Sequence, residues 1–133
     1  MDARPGVILV ADDEQDLRRL VVRRLQRAGF EVVEAGDGET AWTQLLEHQP
    51  EVAILDVRMP ELDGYALTRR IRAEERTRGI GVILLTASAQ ESEELTGREA
   101  GADRYMHKPF VPATLLAAID ELRRDHDAGG GSQ

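Results

Sequence analysis

The sequence predicts an α/β protein with a doubly wound, five-stranded parallel sheet and helices on both of its faces. Two observations support this fold class. Short apolar runs, of the kind that form strands buried on both faces, alternate along the chain with stretches whose apolar residues recur at helical spacing. The chain has 133 residues, which is enough for five such pairs around one core. Successive βα units imply parallel strands joined by right-handed crossovers.

Five segments have the composition of strands. Three are continuous apolar runs, one alternates polar and apolar residues as strands near an edge do, and the last has the weakest pattern. In chain order, the predicted strands are Val7–Ala11, Glu31–Ala35, Val52–Leu55, Val82–Leu85 and Arg104–His107. We expect them to lie in the flavodoxin-like order 2-1-3-4-5.

Helical spacing fills the intervals between these strands. The first helix has an apolar face of Leu17, Leu20, Val21 and Leu25, and the second has Ala41 and Leu45. The third helix has Leu67 and Ile71, and the fifth has Leu115, Ile119 and Leu122. Gly29 is suited to end the first helix, and Pro112 is suited to the first turn of the last one. The fourth helix, over residues 90–100, has Leu95 as its only large aliphatic residue and is expected to be loosely anchored.

Composition limits the domain organisation and excludes several functions. Residues 1–125 are predicted to form one domain, and the Gly/Ser-containing residues 126–133 a disordered tail or linker stub. The net charge of −8 argues against direct binding of nucleic acid or of an anionic membrane, so a basic cluster is assigned to a solvated helix face. This cluster is Arg69, Arg70, Arg72, Arg76 and Arg78. There is no cysteine, and the first apolar run is too short for a signal peptide or a membrane span, so we expect a cytoplasmic location.

Polar residues follow four of the predicted strands at the points where the strands end. They are Asp12, Asp13 and Glu14 after the first strand, Asp56 after the third, Thr86 after the fourth and Lys108 after the fifth. Each alone has an ordinary structural explanation as a helix cap, a turn residue or a solvated charge. However, the carboxyl ends of parallel strands share one edge of the sheet, which is where ligands bind in open α/β folds. The sequence therefore places carboxylates, a hydroxyl and an ammonium together.

This combination of groups suits phosphoryl transfer. Clustered carboxylates repel one another and need a cation, and a shell of oxygen ligands completed by water and phosphate favours Mg²⁺ over Ca²⁺. A metal, an ammonium and a hydroxyl around one carboxylate neutralise or hydrogen-bond the oxygens of a transferring phosphoryl group. Asp56 is therefore the predicted nucleophile, and its product is an acyl phosphate.

The motifs around these residues resemble the receiver domain of two-component response regulators, in the chemotaxis-regulator-like superfamily. The resemblance runs from about Val7 to Leu122. Its motifs are Leu9-Val10-Ala11-Asp12-Asp13-Glu14, Leu55-Asp56-Val57-Arg58-Met59-Pro60 with Asp63-Gly64, Leu85-Thr86-Ala87, and Gly101-Ala102-Asp103 through Lys108-Pro109-Phe110. All four occur in order at the family's spacings. One departure is Gly81, which stands where many relatives have proline and is expected to loosen the turn before the fourth strand.

The resemblance implies a role for each site residue. Asp56 is the phosphoacceptor, in a step that requires Mg²⁺, for which Mn²⁺ is expected to substitute. The implied metal ligands are Asp12, Asp13, Asp56 and the backbone carbonyl of Arg58; the phosphoryl ligands are Thr86, the N–H of Ala87, and Lys108; the switch residues are Thr86 and Tyr105; and Arg58 and Ser88 tune the lifetime of the phosphoryl group. The Lys108–Pro109 bond is similar to one that the family keeps in cis.

The resemblance also implies the partners. A histidine kinase or a phosphotransfer protein supplies the phosphoryl group, and an output partner or a second copy of the chain binds the surface of the fourth helix, fifth strand and fifth helix. The protein is then a signalling switch of a phosphorelay, not an enzyme with a separate substrate, although it assists its own phosphorylation and dephosphorylation. No direct contact with nucleic acid or membrane is expected.

Three other functions share parts of this pattern. A flavodoxin-like FMN carrier needs a loop that cradles phosphate after the first strand, and the acidic loop here repels phosphate. An aspartyl-phosphate hydrolase of the dehalogenase-like class needs a second Asp two residues after the nucleophile, where this chain has Arg58. The strongest rival is a receiver fold that acts by docking alone and is never phosphorylated.

Overall fold

The computed structural model describes residues 6–87 and 90–131, and within these ranges five strands alternate with five helices. The strands are β1 (Val7–Ala11), β2 (Glu31–Ala35), β3 (Val52–Asp56), β4 (Gly81–Thr86) and β5 (Arg104–His107). The helices are α1 (Gln15–Arg27), α2 (Gly38–His48), α3 (Gly64–Ala73), α4 (Glu91–Ala100) and α5 (Pro112–Gly131). None of the described helices is long and apolar enough to cross a membrane.

The sheet confirms the predicted fold class and strand order. Its five strands are all parallel and lie in the order β2-β1-β3-β4-β5. The order reverses at β1, which pairs with both β2 and β3. At such a switch point the loops after neighbouring strands diverge to opposite faces and leave a crevice outside their carboxyl ends. The loops after β1 and β3 border this crevice.

Side chains from alternate strand positions form one hydrophobic core on each face of the sheet. On one face Leu55 and Leu84 pack with residues of α2 and α3, such as Leu45 and Leu67. On the other face Ile54 packs with residues of α1 and α5. These five side chains are fully buried. Full burial of such a side chain stabilises the folded state by about 1.5–3 kcal/mol relative to leaving it exposed. The two cores hold the sheet rigid beneath its carboxyl edge.

Two glycines act at positions where the backbone requires them. Gly29 has a φ of 98° and follows the end of α1, which confirms its predicted role. A Cβ on Gly64 would lie 2.6 Å from the backbone oxygen of Asp56, so glycine lets α3 begin directly against the end of β3. The carboxylate of Asp63 caps the same helix by accepting a hydrogen bond from the N–H of Ala66 at 2.8 Å.

Two leucines that were predicted to face the core are exposed. Leu20 is 60% exposed and Leu95 is 57% exposed. The buried side of α1 instead follows Val21, Val22 and Leu25. Helix α1 offers several apolar positions at helical spacing, and packing against the sheet decides which of them are buried, whereas α4 has Leu95 as its only large apolar residue and buries small residues instead. Leu95 is therefore not the anchor of α4.

The C-terminal helix is longer than the predicted domain. The sequence predicted that the domain ends at residue 125 and that residues 126–133 form a tail or linker, whereas α5 continues to Gly131. Extending an existing helix adds one hydrogen bond per residue without a new nucleation step, which accounts for its continuation through weak helix formers. Residues 132 and 133 lie outside the described part of the chain, and the domain boundary itself stays a prediction.

Arg72 differs from the other arginines of the predicted solvated cluster. Its guanidinium donates to the backbone oxygens of Gly101 at 2.9 Å and Ile80 at 2.6 Å, and to the carboxylate of Asp103 at 2.8 Å. It therefore joins the end of α3 to the loops before β4 and β5. The neighbouring Gly81 donates its N–H to the backbone oxygen of Glu51 at 3.0 Å, a bond that proline lacks, and the expected loosening of this turn stays a prediction.

Candidate functional site

Three carboxylates meet at the carboxyl edge of the sheet, as the sequence predicted. Asp56 is the last residue of β3, and Asp12 and Asp13 directly follow β1. One oxygen from each of the three lies within 4.8 Å of the others. Asp12 is 2% exposed and Asp56 is 6% exposed, whereas Asp13 faces solvent. The group is thus open on one side and enclosed on the other.

Lys108 closes the enclosed side of this group. Its ammonium Nζ lies 3.0 Å from Oδ2 of Asp12 and 3.3 Å from Oδ1 of Asp56. A third, exposed carboxylate, that of Glu14, lies 3.3 Å away. The backbone N–H of Lys108 donates to the backbone oxygen of Thr86 at 2.7 Å, which fixes the start of the loop after β5. The Lys108–Pro109 peptide bond is cis, as the resemblance implied.

The electrostatics of the site favour added positive charge. Burial raises the pKa of Asp56 to about 6, and the neighbouring charge of Asp12 acts in the same direction, while Lys108 opposes both. Burial alone would lower the pKa of Lys108, but its hydrogen bond and charge interactions with Asp12 and Asp56 outweigh burial and raise it. One ammonium therefore does not fully compensate these carboxylates. Three convergent oxygen donors and a remaining need for charge fit a hard divalent cation such as Mg²⁺.

The other predicted site residues lie around this centre. Thr86 ends β4 and is 1% exposed, and Ala87 follows it. The exposed Arg58 lines the same open cleft as Asp13. Ser88, for which the resemblance implied a part in setting the phosphoryl lifetime, lies outside the described residues.

Tyr105 lies on the same face of the sheet as Thr86, two residue pairs further from the carboxyl edge. In the register of β4 and β5, Tyr105 pairs with Leu84, and Thr86 pairs with His107. Tyr105 is half-buried against the core that contains Leu84. Its hydroxyl lies 3.0 Å from the hydroxyl of Tyr65, the second residue of α3, a contact that the sequence did not predict.

Arg18 is a second residue that the sequence predictions lacked. Its guanidinium donates to the backbone oxygen of Asp12 at 2.7 Å and to the carboxylate of Glu34, on β2, at 3.0 Å. Arg18 occupies the same helical stripe as Val21, Val22 and Leu25, so a charge on the buried side of α1 was the available signal. The residue holds the turn that presents the acidic pair.

The fold and the acidic site together are those of a receiver domain, and comparisons with known proteins agree. The model of the response regulator receiver domain matches residues 8–120. The transcriptional regulatory protein GltR of Pseudomonas aeruginosa is 43% identical over 124 residues, which are 93% of this chain and 51% of GltR. The chain thus spans about half the length of such curated relatives.

Solved structures give the same result. A putative response regulator from Chloroflexus aurantiacus has a TM-score of 0.85 and 35% identity, with coverage of 89% of this chain and 97% of that one. The receiver domain of the sensor histidine kinase PA1611 from Pseudomonas aeruginosa has a TM-score of 0.82 and 30% identity, with coverage of 89% and 97%. The chain belongs to the response regulator receiver family of two-component systems.

Proposed function

We propose that this chain is the phosphoryl-accepting receiver of a two-component phosphorelay and that Asp56 is its phosphoacceptor. The observation that carries the proposal is the position of Lys108, whose ammonium lies 3.0 Å from Asp12 and 3.3 Å from Asp56 beside the exposed carboxylate of Asp13. A carboxylate oxygen of Asp56 attacks phosphorus, and the bond from phosphorus to the donor's imidazole nitrogen breaks. The donor is a phosphohistidine of a cytoplasmic histidine kinase or phosphotransfer protein.

Mg²⁺ is the proposed cofactor, with Mn²⁺ as a substitute, and Asp12, Asp13, Asp56 and the backbone carbonyl of Arg58 would hold it. When bound, the metal neutralises negative charge on the phosphoryl oxygens. The related receiver domain of PA1611 was solved with a magnesium ion coordinated in its active-site cleft, which supports this assignment. The two buried carboxylates are positioned by the ends of β1 and β3, so no loop has to close for them to converge.

The remaining site residues bind the phosphoryl group. Lys108 contacts the carboxylates before transfer and would exchange part of that contact for a phosphoryl oxygen, which is a strong, charge-assisted hydrogen bond. The hydroxyl of Thr86 and the N–H of Ala87 would donate to the other oxygens. The variable positions Arg58 and Ser88 would then set how long the phosphoryl group survives.

The donor is proposed to dock along an apolar groove between α1 and α5, here called the donor groove. One end of the groove is formed by Lys108 and Ala87, so it opens directly onto the site. Its apolar lining includes Leu17, Leu20, Phe110, Pro112 and Leu116. The 60% exposed side chain of Leu20 leaves apolar surface available to a partner in a groove that Lys108 also lines.

The change of state is proposed to be transmitted through Thr86 and Tyr105 to the surface of α4, β5 and α5, where an output partner or a second copy binds. In the described part of α4, the buried positions are the small residues Gly97 and Ala100. An element with so little buried side-chain area is drawn from the low-stability end of the molecule and can move at modest cost.

Phosphorylation by acetyl phosphate tests the proposal against the rival function of a docking module that is never phosphorylated. Wild-type protein is expected to gain the mass of one phosphoryl group with Mg²⁺ present and none with excess chelator. Asp56→Asn should gain nothing under either condition, while Asp63→Asn, which changes an exposed helix cap, should behave as wild type. Labelling of Asp56→Asn to the wild-type extent would rule out the assignment.

A further inference from the structure

A chain of hydrogen bonds connects α3, β5 and α4 behind the site. The hydroxyl of Tyr65 lies 2.9 Å from the backbone oxygen of Glu93 and 3.0 Å from the hydroxyl of Tyr105. Each phenol has one proton, and the Glu93 oxygen can only accept. Tyr65 must therefore donate to Glu93, and Tyr105 must donate to Tyr65. Burial raises the pKa of Tyr65, and the contact with Tyr105 acts in the same direction, so Tyr65 keeps the proton that it donates to Glu93.

The ring of Tyr105 is also in contact with the backbone of α4. A Cβ placed on Gly97 would lie 2.9 Å from Cδ2 of Tyr105 and 3.1 Å from Cδ1 of Leu84. The helix thus lies on the Tyr105 ring at Gly97 and is tied at Glu93 through Tyr65. The exposed Leu95 contributes little burial, so these two connections are part of what positions α4.

We propose that Tyr65 is a positioning residue that holds Tyr105 and α4 in the resting arrangement. This inference rests on the proposed function, because it takes Tyr105 and α4 as the path to the output surface. Tyr105 and Thr86 lie on one face of the sheet, and motion of the Tyr105 ring toward Thr86 breaks its bond to Tyr65. The resting bond therefore opposes switching, and its loss shifts the population toward the switched arrangement.

Hydrogen exchange of the full, unphosphorylated chain tests the bond itself. Tyr65→Phe is expected to speed exchange of the α4 amides by roughly 2- to 10-fold, the factor that corresponds to one net hydrogen bond. Tyr105→Phe should give a smaller increase, because the bond from Tyr65 to Glu93 survives. The double variant should exchange its α4 amides at the same rate as Tyr65→Phe, since the same chain of hydrogen bonds is already broken. Thr68→Val is the matched control: it removes a buried hydroxyl of α3 that bonds only within the helix, to Gly64 at 2.7 Å.

The position of Tyr105 tests the positioning role against a purely structural one. In wild type, beryllofluoride is expected to shift the ring signals of Tyr105 in an NMR spectrum. Tyr65→Phe without beryllofluoride should move those signals part of the way along the same path. The proposal would be overturned if Tyr65→Phe left hydrogen exchange of α4 unchanged, or if the effects of the two single variants on exchange were additive. It would also be overturned if the Tyr105 ring signals of Tyr65→Phe moved off that path. Failure of the proposed function is separate, because it would be seen as absent labelling of Asp56 while α4 exchange still responds to Tyr65→Phe.

Discussion

Asp56 is buried at the end of β3 between a second buried carboxylate, Asp12, and the ammonium of Lys108. Burial and the charge of Asp12 raise its pKa from 3.8 to about 6. The folded protein thus favours the protonated form more than the unfolded chain does. The stability that the Asp56 carboxyl contributes is fully present below pH 3.8, its pKa in the unfolded chain. This contribution is lost as the pH rises through about 6, its pKa in the folded protein.

Metal-free protein is therefore expected to lose part of its free energy of unfolding as the pH rises through this range, and Asp56→Asn should lose less. Above this range, Mg²⁺ should restore stability to wild type more than to Asp56→Asn. Urea denaturation at several pH values, with chelator or with Mg²⁺, measures both effects. Equal pH slopes for the two proteins would contradict this account of Asp56.

Arg18 leads to a second prediction, about metal affinity. Its bond to the backbone oxygen of Asp12 holds the acidic turn, so Arg18→Met is expected to weaken Mg²⁺ binding by about tenfold, as losses of supporting contacts do. Arg19→Met is the matched control, because Arg19 also lies near Glu34, at 3.8 Å, but is 56% exposed. Titration calorimetry should show near wild-type affinity for the control. Equal losses would assign the effect to the pairing with Glu34 instead.

Site residues at strand ends were predictable, and residues that act through distant contacts were not. The carboxyl ends of parallel strands coincide, so Asp12, Asp56 and Lys108 are brought together by any chain with this strand order. The position of Arg18 on the buried stripe of α1 was a usable signal. Tyr65 gave none, because its partner Tyr105 lies 40 residues away and the contact depends on how α3, β5 and α4 pack.

At the scale of elements, α4 differs from the other helices in how it is held. Gly97 lets the helix backbone approach Tyr105, and an added Cβ at 2.9 Å would displace the ring or the helix. Alanine is a better helix former than glycine by about 1 kcal/mol, but overpacking of a tight contact is destabilising by about 1–3 kcal/mol. Gly97→Ala is therefore expected to lower the free energy of unfolding by about 1 kcal/mol net.

Gly79→Ala is the control for this effect, because a Cβ there has no atom within 4 Å and the backbone is not left-handed. It should leave stability unchanged or raise it by about 0.4–1 kcal/mol through the unfolded state. Urea denaturation of both variants provides the measurement. A Gly97→Ala protein at least as stable as Gly79→Ala would show that α4 does not need this close approach.

The same comparison explains which helices were predicted well. The buried positions of α2, α3 and α5 were predicted correctly because their large apolar residues form a single possible face, as with Leu67 and Ile71. The predictions that Leu20 and Leu95 face the core were wrong, because α1 has several competing apolar stripes and α4 has almost no apolar residues. Periodicity finds a helix, but the sheet selects its buried side.

At the scale of the whole molecule, the two exposed leucines lie on opposite faces of the sheet. Leu20, on α1, belongs to the face that packs on Ile54, and Leu95, on α4, belongs to the face that packs on Leu84. The acidic site lies at the edge between these faces. A donor bound at Leu20 would therefore leave Leu95 uncovered, although the donor groove and the proposed output surface both include α5.

This arrangement predicts that phosphoryl transfer from a protein donor and labelling by a small donor respond differently to mutation of the donor groove. Leu20→Ser removes apolar area from the donor groove and is expected to slow phosphoryl transfer from a phosphorylated phosphotransfer domain by roughly fivefold or more, as loss of a buried interface anchor does. Labelling by acetyl phosphate should stay at the wild-type rate, because a small donor needs no groove. Leu95→Ser, a matched change of an equally exposed leucine, should leave both rates unchanged. Rapid-quench transfer assays on wild type, Leu20→Ser and Leu95→Ser provide the measurement. If Leu20→Ser is slow with acetyl phosphate as well, the substitution has damaged the site. If Leu20→Ser is slow with neither donor, the docking surface lies elsewhere.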